Sequence, residues 1–182
     1  MNNLKLVKPS IAYKIAYLEM IDEWKMTGEA FTPWVLGEDA SDFSAMILRF
    51  ENFPKGIGIP EGFVPHSTFW LVRNDKKMLG AINIRHTLNP YLARVGGHIG
   101  YGIRPSERRK GYATEMLRLG LFEAKELGIS QALVSCDKAN IPSAKTIINN
   151  GGQLESEIIY EGEMVQRYRI DIKDWVVGQF EN

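Results

Sequence analysis

One cysteine, three histidines and no net charge are all that this 182-residue chain offers to the chemistries that depend on them. A lone Cys136 has no internal disulfide partner, which predicts a reducing, cytoplasmic setting. The opening Met1-Asn2-Asn3-Leu4-Lys5 lacks the basic-then-apolar layout of a secretory leader. No apolar run approaches the roughly 20 residues of a membrane-spanning helix, so a soluble protein is expected. The 22 basic residues are cancelled by 22 acidic ones. Neither nucleic acid nor a membrane is therefore expected as a partner, and any anion site must be local. His66 and His86 stand apart with no metal-ligand spacing around them, which argues against a zinc site and leaves no metal expected. Repeats, linkers and low-complexity tracts are missing too, and the length fits one domain over residues 1–182.

What is present alternates between two periodicities. Leu4-Lys5-Leu6-Val7 predicts a first strand ended by Pro9. Ser10 then caps a helix that has Ile11, Ile15, Leu18 and Ile21 or Asp22 near one face and stops near Gly28. A second helix is predicted from Asp42 to Asn52, followed by a breaker-rich loop from Phe53 to Gly62. Thr68 to Arg73 and Met78 to Arg85 form a predicted hairpin around Asn74-Asp75-Lys76-Lys77, and His98 to Arg104 a third strand closed by Pro105. Ala113, Met116, Leu117, Gly120, Leu121 and Ala124 recur at helical spacing, with Gly128 at the C-terminal stop. A strand at Gln131 to Cys136, a helix at Ile141 to Asn150 and a final hairpin of Leu154 to Tyr160 and Met164 to Ile172 complete the pattern.

The most informative stretch is Arg108-Arg109-Lys110-Gly111-Tyr112-Ala113-Thr114, entered from a strand and left as an amphipathic helix. At such a junction the unpaired N–H groups of the helix start converge, the helix dipole adds partial positive charge, and Gly111 lets a phosphate approach the main chain. The Walker arrangement of a nucleotide-triphosphate enzyme is not met, because Lys110 precedes Gly111.

This order of elements, over nearly the whole chain, resembles the GNAT superfamily of N-acetyltransferases. The family's pyrophosphate signature is Arg or Gln, two residues, Gly, one residue, then Gly or Ala. It stands here as Arg108-Arg109-Lys110-Gly111-Tyr112-Ala113, and the family's Asn-x-x-Ser/Ala helix opening follows as Asn140-Ile141-Pro142-Ser143. The run from His98 to Arg108 is similar to a group of bacterial predicted acetyltransferases. The resemblance implies an α+β, three-layer fold whose central sheet is mixed, mostly antiparallel and of about seven strands, with helices on both faces. It implies acetyl-CoA as co-substrate, with pantetheine amides paired around Ile103 and the pyrophosphate held by the N–H groups of Arg109 to Thr114. Arg108, Arg109 and Lys110 would add charge, and Asn140 and Ser143 would contact the pantetheine arm or thioester end. The alternative for these two is helix capping.

The implied reaction is direct attack of a neutral amine on the thioester, the acceptor being a small molecule, an antibiotic or a peptide; a homodimer is compatible with it. One departure stands out, since the tyrosine that many members place seven residues after the Asn140 position is Ile147 here. His98 is the candidate base, with a histidine hydrogen-bonded inside the sheet as its alternative. Tyr101 is a candidate proton donor to the leaving sulfur or a packing residue, and Cys136 is a small buried residue. Phe31, Trp34, Phe43, Phe50, Phe53 and Phe63 either line an acceptor site or pack in the core. Glu38, Asp39 and Asp42 either attract a cationic amine or open a helix. A non-catalytic acyl-CoA sensor is the alternative function.

Overall fold

A computed structural model describes residues 3–175, so Met1 and Asn2 of the supposed non-leader segment lie outside the described residues. Four strands, β1 (Leu4–Val7), β2 (His66–Arg73), β3 (Lys77–Arg85) and β4 (Ile99–Ile103), pair antiparallel in that order. Three more, β5 (Gln131–Asp137), β6 (Gln153–Tyr160) and β7 (Glu163–Asp171), form a second antiparallel sheet in the order β5-β7-β6. Among the described residues there are therefore seven strands, as expected, but split four and three. No ladder joins β4 to β5. They meet just before β4, where the His98 N–H donates to the Leu133 carbonyl at 2.7 Å.

Helices cover both faces. On one, α1 (Lys14–Thr27) and α2 (Phe43–Asn52) pack Tyr17, Met20, Trp24, Met46 and Phe50 onto Trp70 and Ala81. On the other, α3 (Tyr112–Glu126) and α4 (Ile141–Asn149) pack Met116, Leu117, Leu121 and Ile147 onto Ile82, Ile84, Val134 and Ile170. Strand alternation sorts the residues: Ile82 and Ile84 face α3, while Ala81 faces α1.

Local chemistry explains most boundaries. The Asp42 carboxylate accepts the Ala45 N–H at 3.0 Å and so starts α2. Asn74 and Asp75, at φ 53 and 55, give the β2–β3 hairpin the left-handed turn that matches strand twist. The first helix departs from expectation in two ways. Ser10 caps a short 3₁₀ turn, Ile11–Tyr13, before α1 begins. Its buried face is Tyr17, Met20, Ile21 and Trp24, whereas Ile11 and Ile15 are exposed. Aromatic rings able to meet Trp70 won over the aliphatic spacing.

Candidate active site

A cleft of about 910 Å³ opens between β4 and the start of α4, and its far wall is the turn leading into α3. Pro105–Glu107 forms a 3₁₀ turn after β4, then Arg109 and Gly111 adopt left-handed conformations at φ 62 and 81 before α3 starts at Tyr112. Left-handed residues alternating with ordinary ones turn successive N–H groups toward one side, which makes an anion-binding concavity. Among the described residues the N–H groups of Arg109, Lys110 and Gly111 have no acceptor. Those of Tyr112, Ala113 and Thr114 are the open first turn of α3. An added Cβ at Gly111 would meet nothing within 4 Å, so the cradle is open where the glycine stands.

The three cations of the signature do different jobs. Lys110 folds back onto the Ser106 carbonyl (2.8 Å) and the Glu107 carboxylate (3.0 Å), and it does not line the cleft. Glu107, 4% exposed, also accepts from Lys77, and Arg73 lies 4.0 Å away. These bonds, chiefly that from Lys77, hold its carboxyl at about 2. Arg108 donates through Nε to the Ile103 carbonyl (3.1 Å), forks onto Glu29 (3.0 and 2.6 Å) and lies over the Trp24 ring. The Arg108 fork in turn lowers the pKa of Glu29. Arg108 thus braces the turn against β4 and α1. Arg109 and Lys145 line the cleft with no ion pair among the described residues. Lys145 was not expected from the sequence, and neither were the Glu107 and Glu29 clasps.

At the inner end of the cleft the Tyr101 hydroxyl lies 2.9 Å from the Ser143 hydroxyl. The Asn140 side chain accepts the Ser143 N–H at 3.1 Å, so it caps α4 while lining the cleft with Ser143. Burial pushes the Tyr101 phenol up to about 12 and raises Cys136, which neighbours the same serine. Ile147 is fully buried among the α3 and sheet residues.

Comparison with known proteins gives the family. A family profile described as the acetyltransferase (GNAT) domain matches residues 4–153. The chain belongs to the GNAT acetyltransferase family. In fold it is similar to the microcin C7 self-immunity acetyltransferase MccE in complex with acetyl-CoA and AMP, with TM-score 0.65 and 17% identity over 93% of this chain and 92% of that one. It is also similar to a Salmonella typhimurium acetyltransferase that modifies the N-terminal serine of a ribosomal protein, with TM-score 0.64 and 15% identity over 93% and 95%. A third is Mycobacterium smegmatis RimJ in complex with a CoA disulfide, with TM-score 0.65 and 16% identity over 92% and 81%. No curated protein sequence matches the chain.

Within this acetyltransferase, Ile103, Arg108, Arg109, Gly111, Tyr112, Ala113, Thr114, Asn140 and Ser143 all line the one cleft. His98 does not. Its Nδ1 accepts the Leu133 N–H at 2.9 Å, and burial, with Arg169 and Arg85 nearby, pulls it to about 4. The imidazole clasps the junction of the two sheets, as the sheet alternative supposed. Glu38 is bound to Arg49 at 2.8 Å, Asp39 accepts the Ser41 N–H, and Asp42 is the α2 cap, so these carboxylates serve their own loop. Phe43, Phe50 and Phe53 are core, whereas Trp34 and Phe63 pair edge-on with Phe63 exposed. His86 Nε2 lies 2.9 Å from the Ser67 hydroxyl, and His66 Nδ1 lies 2.9 Å from the Asn83 amide nitrogen. Among the described residues no His, Cys, Asp or Glu cluster is placed to hold a metal, and no helix is long and apolar enough to cross a membrane.

Proposed function

We propose that this acetyltransferase transfers an acetyl group from acetyl-CoA to an amine by direct attack in a ternary complex. The observation that carries the reading is the run of unpaired N–H groups from Arg109 to Thr114 around an open, left-handed Gly111 at the mouth of the cleft. Those groups hold the pyrophosphate, with Arg109 and Lys145 as uncommitted cations for the phosphates. The edge of β4 turned away from β3 has no ladder partner, which leaves main-chain groups around Ile103 for the pantetheine amides.

Acetyl-CoA supplies an activated carbonyl and a thiolate leaving group. A main-chain N–H of β4 stabilises the charge that develops on the carbonyl oxygen, and the hydrogen-bonded Tyr101 and Ser143 hydroxyls give the sulfur its proton. Ile147 has no part in this, since the core occupies it. The amine arrives neutral, and no side chain of the cleft is assigned as its base. The chemistry needs neither a metal nor an acyl-enzyme.

Calorimetry with acetyl-CoA, followed by thiol release across amines and peptides, tests the reading. Micromolar binding with acceptor-dependent release supports it. Binding without release across the whole panel assigns a sensor instead.

A further inference from the structure

The face of β4, β5 and β7 turned away from α3 and α4 carries cations that acetyl transfer itself does not use. Arg85, the last residue of β3, lies half-buried with its guanidinium against Gly100, where an added Cβ would stand 3.3 Å from Nη2. Gly100 is the second residue past the His98–Leu133 junction, where β4 and β5 cease to bond. Nη1 of Arg85 donates to the carbonyls of Gly96 (3.2 Å) and Gly97 (3.4 Å). Among the described residues no carboxylate lies within 4.0 Å of it, and Nη2 has no hydrogen-bond partner.

Two further guanidinium groups share this face. Arg167 pairs across the β5–β7 ladder with Ser135 and Arg169 with Leu133, while the alternate residues Val134 and Tyr168 enter the core beneath α3. A single carboxylate, Glu155, binds both, at 3.1 and 2.7 Å. Asp137 at the end of β5 and Glu163 and Asp171 at the two ends of β7 fall on the same face by alternation, and all three are exposed. The Ser135 hydroxyl and Arg167 Nε are out of solvent with no partner in the described residues. An always-charged guanidinium in a half-buried place is costly without an anion, and its planar fork fits a carboxylate or a phosphate.

We propose that Arg85 receives an anionic group, carboxylate or phosphate, borne by the acceptor amine. The acceptor class is then amino acids, acidic peptides or aminoalkyl phosphates rather than polycationic aminoglycosides. This rests on the acetyl-transfer reading of the same site. The same field disfavours an ammonium on the acceptor and so helps deliver the neutral amine that attack requires.

Product-like probes test it without turnover. N-acetylglycine, N-acetylglycinamide and 2-acetamidoethyl phosphate are titrated into the full chain by calorimetry, with and without saturating CoA. The expected result is that each anion binds about tenfold or more tightly than the amide. Arg85→Met should erase the advantage and Arg85→Lys should keep part of it; the stronger of the two anions identifies the group. Equal affinity for all three, binding of none, or an advantage that survives in Arg85→Met overturns the proposal and leaves Arg85 as a tie to the 92–96 turn. If Arg85→Met fails to fold, the wild-type comparison and Arg85→Lys still decide. CoA titrated alone is a separate arm: its failure to bind sinks the acetyl-CoA reading, while the CoA-free probe series still judges Arg85.

Discussion

Replacing Gly111 separates damage to the cradle from damage to the fold. At φ 81 any L-residue is strained, by about 1–2 kcal/mol. An added Cβ meets no atom within 4 Å, so no packing loss follows. For a chain of this size the strain lowers Tm by roughly 4 °C. The cost to binding is larger, because the new atoms enter the cleft where phosphate must approach the N–H groups. A charged hydrogen bond lost there costs about 1.5–3 kcal/mol. In Gly111→Asp, like charges about 5 Å apart repel by about 3 kcal/mol at an effective dielectric near 20, and the open mouth screens this to about 1–2 kcal/mol. The sum predicts a Kd for acetyl-CoA raised roughly a hundredfold to a thousandfold, against about tenfold for Gly111→Ala. Calorimetry read beside a thermal melt measures both quantities. A folded Gly111→Asp protein that binds acetyl-CoA with wild-type affinity refutes the reasoning.

Other consequences can be checked in the same preparations. Tyr101→Phe should lower kcat about tenfold with acetyl-CoA affinity unchanged, and the Tyr101→Phe/Ser143→Ala pair about a hundredfold, as expected for shared proton donation; unchanged kcat in the pair removes the hydroxyls from the chemistry. Because burial holds His98 near 4, kcat/KM should show no inflection at pH 6–7. It should rise with the neutral fraction of the acceptor amine and shift when an acceptor of different pKa is used; an inflection near 6.5 that disappears in His98→Asn restores His98 as the base. Glu107, at about 2 when folded against an ordinary 4.5, contributes stability above pH 4.5 that fades as pH falls toward 2. With Lys77 and Lys110 partly exposed, screening reduces that to about 1–2 kcal/mol, so Glu107→Gln should lower the urea midpoint at pH 7 and flatten its fall in acid.

Features set by neighbours in sequence were legible, and features set by neighbours in space were not. The turn at Asn74-Asp75, the start of α2 at Asp42, the buried stripe of α3 and the glycine turn that precedes it each follow from a few adjacent residues. What decides the electrostatics of the site joins distant segments. Glu29 reaches Arg108 across 79 positions and Lys77 reaches Glu107 across 30. Tyr101 meets Ser143 across 42, and Leu133 meets His98 across 35. No periodicity announces such pairs. Three consecutive cations therefore suggest a uniformly basic cradle, whereas two of them are tied to acids and the free charges are Arg109 and Lys145. The buried face of α1 shares only Ile21 with the aliphatic spacing for the same reason, since the arrival of Trp70 makes Tyr17 a core residue.

The composition of β4 shows how one short strand serves both sides of the site. Ile99 and Ile103 enter the core beneath α3, and Tyr101 turns the same way into the cleft. The alternate positions are Gly100 and Gly102, paired with Asn83 and Ala81 on the α1 face. A Cβ on Gly102 would fall 1.9 Å from the Thr32 carbonyl and 2.7 Å from the Trp24 ring, so the loop after α1 rests directly on the strand. At Gly100 the same vacancy admits the Arg85 guanidinium. The cleft therefore wraps the free edge of β4, with Tyr101 reaching it from one face and Trp24 and Thr32 from the other. The glycines are required because a side chain at Gly102 would strike the Thr32 carbonyl and the Trp24 ring, and one at Gly100 would crowd the Arg85 guanidinium.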